Sequence, residues 1–154
     1  MQRKVPISRA RVLLRARYGW PQETVPFNKV NFHEGDGYRT DAAGYISMCW
    51  DIPLHAPHSW GGMSTMSLET DGWAYEIKPT ELLPGDAIGL LGPGSVGPDG
   101  GTIVLFENWS GNDPDLGYAV CWLHLPDRGP GPMRRAIPFN KNTWHSYRFR
   151  DITD

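Results

Sequence analysis

The sequence predicts an α+β fold with its helices packed on one face of an antiparallel sheet. Two observations carry this. Helical periodicity is confined to the first third of the chain, and about five apolar, β-prone runs separated by turn residues follow it. A length of 154 residues favours a single domain spanning 1–154, with room for one sizeable core.

The elements follow in order. "ISRARVLLRARYGW" opens a first helix over residues 8–18, with Ser8 as N-cap and Val12, Leu13 and Ala16 at helical spacing. "PQETVPFNKVNFHEGDGYRT" is a loop broken by Pro21 and Pro26. Asp41 caps a second helix over about 42–50, which ends before "DIPLHAP". Residues 51–75 read as irregular, rich in Gly, Pro, Ser and His. Thr80 and Glu81 make a short turn, "LPGD" is a tight turn, and "AIGLL" is a strand. A flexible loop, "GPGSVGPDGG", leads to the strong β run "TIVLFENW". The turn "GNDPDLG" leads to the strand "YAVCWLHL". The loop "PDRGPGP" precedes the strand "RRAIPF", and "SYRFRDI" closes the sheet, giving five to six strands in all.

Composition narrows the function. Hydrophobic residues at 40% and charged residues at 21% describe a globular chain rather than a disordered one. A net charge of −2 argues against a nucleic-acid partner, and the Arg-rich start (Arg3, Lys4, Arg9, Arg11, Arg15, Arg17) reads as the solvated face of a helix. Seven Trp, 18 Gly and 14 Pro predict a loop-rich fold with aromatic-lined surfaces or pockets. The chain has no apolar run of about 18 residues to span a membrane. It also lacks a signal-peptide core, so the expectation is a cytoplasmic chain, or one trimmed of an export signal. Cys49 and Cys121 lie in apolar segments and are expected as buried free thiols. His55 and His58 flank Pro57 with no Cys or paired acid at ligand spacing, and "EGDG" after His33 is too short for a calcium loop. The glycine loop "GPGSVGPDGG" has no Lys and no following helix, so it is not a phosphate loop. Neither a metal nor a cofactor is expected.

Four motifs in order, the last a pair of closing strands, resemble the NlpC-type cell-wall peptidases, a papain-like cysteine peptidase family, in their actinobacterial form. "YRTDAAGYISMCW" resembles the nucleophile helix, Tyr-Arg-x-Asp-Cys-Ser-Gly-Tyr/Phe-Val-Ser-Met-Ala-Trp. "LLPGDAIGL" is similar to the Leu-x-Pro-Gly-Asp strand entry, and "GTIVLFENW" to the strand Gly/Asp-His-Val-Val-Leu-Phe-x-x-Trp. "RRAIPF" and "YRFRDI" resemble the closing strands, so the likeness runs from about residue 7 to 152. It implies a papain-like fold and an ancestral hydrolysis of amide bonds in peptidoglycan stem peptides. That chemistry needs a cysteine at a helix N-terminus, a strand histidine as base and acid, and a third polar residue to orient the histidine.

This chain departs from all three. The cysteine position falls on Ala42 and the following serine on Ala43. The histidine position falls on Thr102, and the third position on or near Trp122. The framework stays: Tyr38, Asp41, Gly44, Trp50, Pro84, Gly85, Asp86 and Trp109. Loss of cysteine and histidine together looks like natural loss of the activity rather than an engineered knockout. Cys49 does not stand in for the thiol. It lies seven residues after Ala42, two turns or about 10 Å along the axis.

Cys121 and Trp122 point to opposite faces of their strand, and His124 shares the face of Trp122. The expected binding residues are Tyr38, Asp41, Thr102, Trp109, Trp122 and His124, for a small-molecule or peptide ligand. The function expected is a catalytically degenerate NlpC-like scaffold that keeps a ligand- or partner-binding pocket. The alternative is a repurposed enzyme doing acid–base or cyclisation chemistry on a small molecule.

Overall fold

The computed structural model describes residues 6–19, 24–25, 38–39, 42–56, 59–60, 62–63, 67–90, 102–110, 117–123, 132–139 and 144–154. Asp41, His124, His33 and His58, and the glycine loop before Thr102, lie outside these residues, as does the side chain of His55.

A short strand β1 (Ile7–Ser8) leads into helix α1 (Arg9–Tyr18). Ser8 is extended and its Oγ accepts from the Arg11 amide at 3.2 Å, the N-cap expected of it. Val12 and Ala16 are buried one turn apart, and Arg15 and Arg17 occupy the last turn, where the helix dipole favours cations. After strands β2 (Thr24–Val25) and β3 (Tyr38–Arg39), which pair in parallel, comes helix α2 (Ala42–Trp50). Every residue of α2 after Ala42 is buried. A helix apolar all round belongs inside a molecule, and α2 packs between α1 and the sheet.

Side chains fix α2 on every side. The Tyr45 hydroxyl donates to the Ala16 carbonyl at 2.7 Å, and Arg15 Nε to the Met48 carbonyl at 2.7 Å. Trp50 Nε1 donates to the Gly85 carbonyl at 2.8 Å, and its ring stacks on Phe149 with centroids 5.2 Å apart. Asp51 then turns left-handed at φ 57°. The Ile52 amide bonds the Ser47 carbonyl and the Asp51 amide the Met48 carbonyl, a Schellman ending in which Asp is tolerated at the left-handed position.

A two-residue pair, β4 (His55–Ala56) with β5 (Ser59–Trp60), and a single turn α3 (Ser67–Thr70) lead to the sheet. Its strands are β6 (Ala74–Ile77), β7 (Ala87–Leu90), β8 (Thr102–Trp109), β9 (Tyr118–Leu123), β10 (Met133–Pro138) and β11 (His145–Phe149). They form one antiparallel sheet in the order β10-β9-β8-β7-β11-β6. The α+β architecture is thus as the sequence predicts. Two details differ. Residues 51–75 were expected to be irregular, yet they contain β4, β5 and α3, and edge strand β6 starts at Ala74. "SYRFRDI" is interrupted by a turn at Arg150 and Asp151 and continues as β12 (Ile152–Thr153), which pairs in parallel with β1.

Strand alternation divides the apolar side chains into two clusters. Ala87, Ile103, Leu105, Tyr147 and Phe149 face the helices and join Val12, Ala16 and the α2 side chains. Ile88, Val104, Phe106, Ala119, Cys121 and Leu123 face the other way.

The "LPGD" segment joins the layers. It is a type II turn with Pro84 second and Gly85 third, the latter at φ 97°, closed by the Asp86 amide on the Leu83 carbonyl at 3.0 Å. The Asp86 side chain is fully buried. Its Oδ1 accepts from Arg9 Nη1 at 2.9 Å and Arg148 Nε at 3.2 Å. Its Oδ2 accepts from Arg148 Nη2 at 3.0 Å and the Leu83 amide at 2.9 Å. One carboxylate therefore binds the start of α1, the turn and β11 together.

Candidate functional site at the helix-side margin

Ala42 begins α2 half-buried at the margin of the helix-side cluster, where its methyl offers no chemistry. Trp122, half-buried on β9, packs against the same helix-side cluster, and α2 touches β9, while Cys121 beside it is buried in the opposite cluster. Tyr38 is buried on the helix side and its hydroxyl donates to the Ile52 carbonyl, so it braces the end of α2.

Two expected site residues are not brought to Ala42. Thr102 pairs with Leu90 and is in step with Val104 and Phe106, which places it on the sheet face away from α2. Trp109 lies on that far face as well. A bulge at Glu107, between Phe106 and Asn108, adds a residue and shifts the alternation, so Trp109 lands opposite Ala119. There its ring meets Phe106 and Phe139 edge-on, at 5.1 and 5.2 Å between centroids. Trp109 is a packing residue of the second cluster.

The bulge supplies a group that sequence reasoning missed. Glu107 lies beside Trp122, whose indole N–H donates to Oε1 at 3.1 Å. Arg134, on β10 directly opposite Trp122, donates from Nε to Oε2 at 2.8 Å and adds Nη2 to the same oxygen. Arg17, from the last turn of α1, lies over the Trp122 ring at 5.6 Å. Burial pushes the Glu107 carboxyl up, but the hydrogen bonds from Arg134 and Trp122 and the charges of Arg134 and Arg17 outweigh it and hold it below the usual carboxylate range. The clue was a lone acid inside an apolar β run. The partners of that acid come from three other elements, which no local pattern reveals.

Among the described side chains the one imidazole is that of His145, whose Nδ1 lies 2.8 Å from Glu76 Oε2. It sits on β11, three strands from β9, or about 14 Å at ordinary strand spacing. Both thiols are buried, and burial pushes Cys121 up, away from thiolate. Cys49 lies in the all-buried stretch of α2, among the helix-side core. No group of three His, Cys, Asp or Glu able to hold a metal occurs among the described residues. Nor is any described helix long and apolar enough to cross a membrane. The chain matches no known family profile, no curated protein and no solved structure.

Proposed function

We propose that the chain is an NlpC-like, papain-like domain that binds a cell-wall peptide or a similar small molecule at the margin where α2 begins, without cleaving it. One observation carries the reading. Packed against the helix-side core are the Ala42 methyl and the Trp122 indole, and that indole and Arg134 both bind the Glu107 carboxylate, groups that recognise ligands but do not attack them. The ordered motifs support the descent, since Ala42–Trp50 of "YRTDAAGYISMCW" forms the central helix and "LPGD" the turn that receives Trp50.

The same observation weighs against a repurposed acid–base enzyme at this margin. Glu107 is held ionised and both its oxygens are engaged, so it is a poor base near neutrality. The test is titration of the protein with a peptidoglycan stem peptide, followed by the indole N–H signal of Trp122 and by mass spectrometry of the peptide. Saturable binding with the peptide intact is expected. Cleavage by the wild-type chain, or no binding at all, overturns the proposal.

A further inference from the structure

Arg17 is exposed, and its guanidinium carbon lies 5.6 Å from the Trp122 ring centroid and 5.9 Å from that of Tyr18. It makes no hydrogen bond or ion pair among the described residues. Arg134 gives Nε and Nη2 to Glu107, which leaves Nη1 without a partner among the described residues. Among the described residues two guanidinium groups thus flank one carboxylate, a surplus of one positive charge beside a half-buried indole.

We infer that Arg17, with Arg134 opposite Trp122, anchors a free carboxylate of the ligand while Trp122 receives the ligand's apolar body. This inference rests on the binding reading above. A guanidinium lying over an aromatic ring keeps its edge donors free, and its planar fork matches a carboxylate better than any other acceptor except phosphate. An incoming carboxylate does not meet a bare Glu107, because Arg134 already matches that charge. The indole edge is occupied by Glu107, so its exposed portion is left for apolar contact.

The experiment titrates isotope-labelled protein with acetyl-alanyl-alanine, with the same dipeptide as its C-terminal amide, and with inorganic phosphate. The Trp122 indole and Arg17 Nε–H signals are followed. The acid is expected to move both signals saturably and the amide to bind about tenfold more weakly, the size of one charge-assisted hydrogen bond. Arg17→Gln should remove that preference. Arg135→Gln makes the same charge change at a position paired with Cys121, on the far face, and should keep the preference.

Equal binding of acid and amide, equal loss in both variants, or phosphate competing as well as the acid overturns the carboxylate anchor. If the dipeptides fail at Trp122 while the stem peptide binds, the anchor falls and the binding reading stands. If nothing binds, both fall.

Discussion

Replacing Asp86 by Asn tests the latch at the centre of the fold. The substitution keeps shape and volume but removes the charge and half the acceptor capacity. In the wild type both oxygens are buried and receive four hydrogen bonds, three of them from Arg9 and Arg148. Those side chains are only 12% and 19% exposed, so the change leaves two guanidinium groups facing an uncharged amide. Removing one partner of a buried pair costs about 3–5 kcal/mol. The lower end applies, because Arg9 keeps the Pro84 carbonyl and Asp154, and Arg148 keeps the Glu81 carbonyl. A loss of about 3 kcal/mol lowers the melting temperature of a chain this size by about 6–12 °C. Urea unfolding of wild type, Asp86→Asn, Arg148→Met and the double variant measures it. The double variant should be less destabilised than the two single losses added together, by about 1 kcal/mol or more. A single-variant loss under about 1 kcal/mol, or strict additivity, would refute the latch.

Three further outcomes follow from the geometry. Gly62→Ala sets a Cβ 2.5 Å from the Ser47 Cβ at a φ of +107°, so strain and overlap together should cost about 2–4 kcal/mol in urea unfolding; a neutral result contradicts the seating of residues 62–63 on α2. Glu107 has its carboxyl lowered in the folded state, so it stabilises above the ordinary glutamate value and that stability is lost as pH falls through the lower folded value. The gap between wild type and Glu107→Gln should therefore be full near pH 7 and close below about pH 4, and parallel pH curves would exclude the pairing. Ala42→Cys combined with Thr102→His should stay inactive on stem peptides, because residue 102 lies on the sheet face away from α2; amide cleavage by that variant would show that the two positions do meet.

The helices were legible because their signals are local. Ser8 caps α1 through its own hydroxyl, and α2 is an unbroken buried run. Edge strand β6 was not legible, since its four residues include the exposed Tyr75 and Glu76 and only one neighbour pairs with it. The site was legible only at its helix end. Which face a strand residue takes depends on counting by twos from a paired neighbour. Motif similarity carries the order of residues but not that count, so it says nothing of the face of Thr102. At Trp109 the count is reset by the bulge. Arg17 was read as a solvated charge, and it is exposed, but only the packing of α1 brings it over Trp122.

The pairing of β1 with β12 has a consequence for synthesis. Ile7 takes Ile152 as its partner, and its amide bonds the Asp151 carbonyl at 2.9 Å. Arg9 likewise waits for Asp86 and Asp154, and Asp86 in turn for Arg148. While the ribosome is still making the sheet, the first helix can form and can meet α2, but the strand that aims it has no partner. The fold therefore closes late, on residues more than 140 positions after the strand they hold. Until residue 148 has been made, Asp86 has only one of the two arginines that bind it in the finished fold.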